Sequence, residues 1–350
     1  MNSYLGARCP MRTAPIKWQR SYASQAARTM APRHLLSIAD VSALELHKLV
    51  ENASAWKTAA KSGLVAREKA SGLASQTIAM IFSKRSTRTR VSTEAAVTML
   101  GGHSMFLGSG DIQLGVNESR RDSAVVISSM TAGIVARVAG HSEVVDLAKF
   151  SSVPVINALS NDFHPMQTIA DMLTIKEAFV GRQSALHGLK LAWVGDASNV
   201  LFDLAIGAMK LGINLSVATP PGYGIPTAIQ KLIESANTSG ASFSMTNVPQ
   251  EAMKDADVIV TDTWISMGQE VEAAERRKAF AGYQITENLA KQSGAKPNWK
   301  FMHCLPRHED EVDDNVFYGP RSLVFPEAEN RLWSAVSVLE SFVVNRGSIV

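Results

Sequence analysis

Short apolar runs alternate along this chain with stretches whose apolar residues recur at helical spacing. In the first half, SQTIAMIFS (75–83), GGHSMFL (101–107), AGIVARV (132–138) and SVPVINA (152–158) read as short buried strands. Between them, VSTEAAVTML (91–100), RRDSAVVISSM (120–130) and SEVVDLAKF (142–150) read as helices. The second half repeats the style with strands LKLAWVGD (189–196), INLSVATP (213–220), ASFSMTN (241–247), ADVIVTD (256–262) and WKFMHCLP (299–306). VLFDLAIGAMKLG (200–212), IPTAIQKLIESA (225–236) and a charged stretch near 270–280 lie between them. HPMQTIADMLTIKEAFV (164–180), with Ile169, Met172, Leu173 and Phe179 on one face, reads as a linking helix, and a last helix over 328–345 carries Leu332, Val336, Leu339 and Val343. Such alternation predicts an α/β fold of two doubly wound domains, each with a central parallel sheet, joined by linking helices.

Length agrees, since 350 residues exceed one ordinary core and fit two domains of about 150 residues each. The 46% hydrophobic and 19% charged content is that of a packed chain, and no apolar run approaches the roughly 18 residues of a membrane span, so no membrane partner is expected. The first forty residues stand apart: Arg8, Arg12, Lys17, Arg20, Arg28 and Arg33 lie among Ser and Ala, with no acidic residue before Asp40. This is the composition of an amphipathic mitochondrial presequence, the other reading being a basic tail for nucleic acid. Arg20-Ser21-Tyr22-Ala23 resembles a matrix-protease site, and a cut after Tyr22 removes four positive charges and takes the formal net charge from +3 to −1. The basic balance then belongs to the leader, and no nucleic-acid partner is expected. Only Cys304 lies outside this segment, the other cysteine being Cys9, so no internal disulfide is expected in the mature chain.

In open α/β sheets ligands bind beyond the carboxyl ends of the strands, and four such ends carry polar clusters. Lys84-Arg85-Ser86-Thr87-Arg88-Thr89-Arg90 follows the strand 75–83 and leads into a helix. Free N–H groups, hydroxyls and guanidinium forks combine there into a phosphate seat, against the blander reading of a solvated charge run. His164-Pro165-Met166-Gln167 opens the linking helix, where a neutral histidine can donate to a carbonyl oxygen. Asp262-Thr263-Trp264-Ile265-Ser266-Met267-Gly268 offers a carboxylate for an ammonium group, and His303-Cys304-Leu305-Pro306-Arg307 brings a lone thiol to a strand end.

Together, SKRSTRTR (83–90), HPMQ (164–167) and HCLPR (303–307) resemble, in order, the S-T-R-T, H-P-x-Q and H-C-L-P motifs of the aspartate/ornithine transcarbamylase family. DTWISMG (262–268) resembles the ornithine-recognition loop of the ornithine-acting branch, which the aspartate-acting branch lacks. DIQLGVNES (111–119) and FPEAENR (325–331) extend the likeness over nearly all of 34–345, and GDASN (195–199) departs from it only in having Ala197 where Gly is frequent.

The resemblance implies transfer of the carbamoyl group of carbamoyl phosphate to L-ornithine, giving L-citrulline and phosphate, in arginine biosynthesis or the urea cycle. Ser86, Thr87, Arg88 and Thr89, with Arg137 at the end of strand 132–138, would bind phosphate and carbonyl. His164 and Gln167 would hold the carbamoyl carbonyl and amide, and Cys304, the Leu305 carbonyl and Arg331 would complete that pocket, with the Leu305–Pro306 bond cis. Arg137, His164 and Cys304 are the catalytic candidates, and Asn199, Asp262, Ser266 and Met267 would fix the amino-acid end of ornithine. It also implies a homotrimer, in which Gln113 reaches a neighbour's phosphate, and residence in the mitochondrial matrix. Residues 1–33 would be presequence and lead, 34–178 the carbamoyl-phosphate domain joined by helix 328–345, and 179–327 the ornithine domain. No metal or organic cofactor is implied, because arginines supply the electrophilic charge.

Three other readings compete. LKLAWVGDASN hints at a nucleotide-dependent oxidoreductase, but the full G-x-G-x-x-G is absent. A noncatalytic binding protein would have lost site residues, and none is lost. A transcarbamylase for another amine, such as putrescine or N-acetylornithine, is opposed by DTWISMG.

Overall fold

The computed structural model describes residues 31–112, 117–181, 186–265 and 270–350. The expected presequence, cut site included, therefore lies outside the described residues up to Met30. Among the described residues, no helix is long and apolar enough to cross a membrane.

Among the described residues a short 3-10 turn over Ile38–Asp40 precedes α1 (Ala43–Lys61), whose start is closed by a capping box between Ser42 and Glu45. There follow β1 (Thr77–Phe82), α2 (Thr87–Met99), β2 (His103–Gly108), α3 (Arg120–Met130), β3 (Gly133–Arg137), α4 (His141–Phe150) and β4 (Val155–Leu159). The four strands form one parallel sheet in the order β2-β1-β3-β4. α5 (Pro165–Ala178) leads to β5 (Lys190–Val194), α6 (Asn199–Leu211), β6 (Asn214–Ala218), α7 (Thr227–Ala236), β7 (Phe243–Thr246), α8 (Pro249–Met253) and β8 (Val258–Thr261). α9 (Ala273–Ala279), α10 (Glu287–Gln292), β9 (Lys300–His303), α11 (Asp314–Phe317) and α12 (Val324–Leu339) complete the chain. The second sheet is also parallel, in the order β7-β6-β5-β8-β9. The fold is thus the expected one, two domains each with a parallel sheet surrounded by helices.

Strand periodicity explains why both faces are covered. On β1, Ile78, Met80 and Phe82 join the core shared with α1, α5 and α12, while Ala79 and Ile81 join the opposite core with Ala124 of α3 and Leu147 of α4. On β5, Leu191 and Trp193 turn one way and Ala192 and Val194 the other. A strand buried on both sides has no polar face, which is why these runs read as continuous apolar segments.

Several boundaries differ from expectation for local reasons. α2 begins at Thr87 because Ser86 caps it, drawing the basic run into the first turn. β4 starts only at Val155, just after Pro154, which has no N–H to give a ladder. β9 stops at His303: Leu305 has φ +64°, its bond to Pro306 is cis, and its N–H donates to His303 Nδ1 at 2.9 Å. α12 begins four residues before 328, with Pro326 in its first turn, and runs on as a single π turn over Glu340–Val344. This helix packs on α1, α2 and α5, tying the last helix to the first domain.

Candidate active site

The carboxyl ends of the two sheets supply the clusters. At the start of α2, Ser86 Oγ accepts from the N–H of Thr89 at 3.3 Å, and Thr87 and Arg88 stand beside it in the first turn. Arg88 sends one terminal nitrogen to the Leu305 carbonyl at 2.5 Å, which joins this seat to the turn after β9. Arg137 lies at the end of β3, where the register with β4 slips so that it faces Leu159. A bulge of this kind re-aims the side chain at the strand's end.

His164 occupies the position just before α5, with Pro165 at the first helical position. Its ring is buried and its Nδ1 has no partner. Burial, reinforced by the positive charges of Arg331, Arg137 and Arg88, holds its pKa well below the usual histidine range. The expectation of a neutral histidine rested on the helix terminus, but the larger causes are burial and crowding by guanidinium groups. Those groups are themselves crowded together out of water. Burial together with mutual repulsion pushes Arg137 and Arg331 down to about 10. Such a site gains stability when an anion enters it.

Gln167 and Arg331 are likewise buried. Arg331 donates to Gln167 Oε1 at 2.6 Å and to Thr89 Oγ1 at 3.4 Å, linking α12, α5 and α2. The Gln167 amide nitrogen donates to Asp171 Oδ1 at 2.8 Å and to Glu327 Oε1 at 3.1 Å. Facing this group, the Cys304 thiol donates to Asp262 Oδ1 at 3.2 Å, and Ser198 Oγ donates to Asp262 Oδ2 at 3.3 Å. Burial, with the negative charges of Asp262 and Glu327, pushes the thiol well above its ordinary range, so Cys304 serves as a donor and not as a thiolate nucleophile. Asn199 sits at the start of α6 and donates from Nδ2 to the Ser160 carbonyl at 2.5 Å.

Of the residues expected from sequence, Arg88, Thr89, Arg137, His164, Gln167, Asp262, Cys304, Leu305 and Arg331 are thus joined by contacts or by mutual electrostatic influence. Ser86 and Thr87 belong to the same helix start, and Asn199 follows Ser198, the partner of Asp262. Gln113, Ser266 and Met267 lie outside the described residues. Sequence reasoning missed Asp171 and Glu327, although Asp171 stands one helical turn after Gln167. It also missed Glu311, which accepts from the Trp264 N–H at 3.2 Å and the His308 N–H at 2.6 Å, fastening the strand end after β8 to the turn after β9. Arg276 supports the same strand end, donating to the Trp264 carbonyl and to Asp196 Oδ2, both at 2.9 Å.

Comparison with known proteins bears on the chemistry. The family model described as aspartate/ornithine carbamoyltransferase, carbamoyl-P binding domain, matches residues 33–177, and that described as the Asp/Orn binding domain matches 187–342. The chain is similar to a mitochondrial ornithine carbamoyltransferase of Emericella nidulans, at 61% identity over 94% of this chain and 95% of the relative. It is similar to the Schizosaccharomyces pombe mitochondrial enzyme of the same name at 56% identity, covering 91% and 97%. Among solved structures, the mitochondrial ornithine carbamoyltransferase of Coccidioides immitis matches with 58% identity and a TM-score of 0.85 over 91% of this chain and all of that one. That of Pyrococcus furiosus matches with 45% identity and a TM-score of 0.84, covering 90% and 98%.

Proposed function

We infer that this chain, which belongs to the aspartate/ornithine carbamoyltransferase family, carries out the ornithine reaction of that family. It transfers the carbamoyl group of carbamoyl phosphate to L-ornithine, giving L-citrulline and phosphate. One observation carries the reading from geometry: a cation-rich seat around Arg88, Arg137, Arg331 and neutral His164 faces the Asp262 carboxylate across the Cys304 thiol.

In this proposal Ser86, Thr87, Arg88 and Thr89, with Arg137, hold the phosphate through the α2 start and paired guanidinium forks. Neutral His164 and Arg137 donate to the carbamoyl oxygen as charge builds on it in the tetrahedral intermediate. Gln167 Oε1 and the Leu305 carbonyl each keep a lone pair for the carbamoyl N–H groups. Asp262 takes the α-ammonium of ornithine, with Asn199, Ser266 and Met267 fixing the rest of its amino-acid end. The free side-chain amine attacks the carbonyl carbon, the carbon–oxygen bond to phosphate breaks, and the departing phosphate takes the proton. Cys304 contributes a hydrogen bond and no covalent intermediate.

The protein is mitochondrial, as its relatives are named, and we place it in the matrix on the strength of the basic, acid-free leader. We also propose a homotrimer whose 111–119 loop carries Gln113 to a neighbour's phosphate seat, and a division of labour in which 34–178 with the C-terminal helix serves carbamoyl phosphate and 179–327 serves ornithine. Incubation of the purified enzyme with carbamoyl phosphate and, separately, ornithine, putrescine, N-acetylornithine and aspartate tests the substrate reading by product mass. Citrulline should dominate, and faster formation of carbamoyl-putrescine or N-acetylcitrulline would overturn it.

A further inference from the structure

The seat is backed by two carboxyl groups that the reaction scheme does not use. Asp171 on α5 and Glu327 on α12 are each 2% exposed, lie within hydrogen-bonding reach of each other, and both receive the amide nitrogen of Gln167, at 2.8 and 3.1 Å. Glu327 Oε2 also accepts from the backbone N–H of His303 at 2.9 Å, so this carboxyl spans the strand end before the thiol turn and the back of the seat. An amide side chain is nearly symmetric in shape, and only its partners decide which end is nitrogen. Here two acceptors claim the NH2 and one guanidinium claims the oxygen, so only one orientation satisfies the network. The oxygen is left on the side where Arg331 also reaches Thr89, which is the phosphate side.

We propose that Asp171 and Glu327 are positioning residues that lock the Gln167 amide with its carbonyl oxygen toward the seat, so that the site selects an acyl phosphate bearing N–H groups over one bearing a methyl. The proposal rests on the reading of Gln167 as the partner of the carbamoyl amide. Two buried carboxylates side by side repel; burial raises both groups, Asp171 to about 7, and the neighbouring Asp171 raises Glu327 further, so the pair keeps a proton, held on Glu327. One proton leaves one negative charge, which Arg331 neutralises, and all acceptors needed by Gln167 and His303 survive. A site built to receive an N–H group rejects the isostere lacking it far better than a merely apolar pocket rejects a misfit.

Acetyl phosphate, with a methyl where carbamoyl phosphate has NH2, is the probe. The readout is the Ki of acetyl phosphate, as a competitor, divided by the KM of carbamoyl phosphate, measured on the full enzyme. Asp171→Leu frees Gln167 to turn, and the ratio should fall by about tenfold or more. Asp171→Asn still accepts from Gln167 through its amide oxygen and donates to an ionised Glu327 through its nitrogen, so one hydrogen bond still joins the pair, and it should restore the ratio to within about threefold of the parent. Glu327→Gln cannot accept from both Gln167 and His303; it should lower the ratio too, and it carries the test if Asp171→Leu does not fold. General damage to the fold would weaken both ligands together and leave the ratio in place. An unchanged ratio in Asp171→Leu and Glu327→Gln, with Gln167→Met lowering it, would overturn the positioning role and leave the reading of Gln167 standing. Asp171→Asn falling as far as Asp171→Leu would also overturn it. An unchanged ratio in Gln167→Met would remove the reading on which the proposal rests.

Discussion

Arg88→Lys keeps the positive charge and removes the fork, and the structure allows its cost to be worked out. One terminal nitrogen of Arg88 is committed to the Leu305 carbonyl at 2.5 Å, leaving the other terminal nitrogen and Nε to meet phosphate oxygens. A lysine ammonium is a single point and cannot reach the carbonyl and two phosphate oxygens together. Two hydrogen bonds to charged groups are therefore lost, each worth about 1.5–3 kcal/mol, while the retained charge offsets roughly half of the sum. The net cost is about 1.5–3 kcal/mol, or roughly 10- to 150-fold in rate. Because charge grows on the phosphate as it leaves, most of the loss should fall on kcat and not on KM alone. Citrulline formation with carbamoyl phosphate varied at saturating ornithine measures both, and circular dichroism checks that the fold is kept. A kcat within about tenfold of the parent would refute the placement of Arg88 on the phosphate.

Three further outcomes are expected. Activity at limiting ornithine should rise from about pH 7 to 9 as the substrate amine loses its proton; His164, held low by burial and three guanidiniums, is already neutral there, and a flat profile would exclude attack by the free amine. Asp203 on α6, fully buried against Ser37 and Ile38, is raised by burial from 3.8 to about 7, so folding takes up a proton between those values and stability falls as pH rises across that window, by about 4 kcal/mol, then levels off. Asp203→Asn should flatten that slope, and denaturation curves at pH 5 and 8 running parallel for both forms would refute it. Refolding equal amounts of inactive Arg88→Ala and Gln113→Asp chains together should restore about a quarter of the sites if a trimer shares them, whereas sites built within one chain would recover nothing.

How much of this was legible in the sequence depended on whether the chemistry is local. The phosphate seat is contiguous over 83–90, and its hydroxyls, guanidiniums and cap declare themselves without any partner. The sheets were legible because strands buried on both faces leave unbroken apolar runs. α1 shows the opposite case: its buried face, Leu46, Leu49, Val50, Ala53 and Trp56, is a narrow stripe among charged residues, and its clearest signal is the capping box at Ser42 and Glu45. The bulge that turns Arg137 exists only through the register of β3 against β4. Asp171 and Glu327 mark the limit. An acid four residues after a glutamine is ordinarily a solvated helix face, and an acid in the first turn of a helix ordinarily answers its dipole. What changes their meaning is that α5 and α12, distant in sequence, pack together and bring both acids against one amide, with Arg331 beside them. A buried acid is tolerable only when a proton or a cation compensates it. The pair has both, so its chemistry belongs to the packing of two helices and to neither segment read alone.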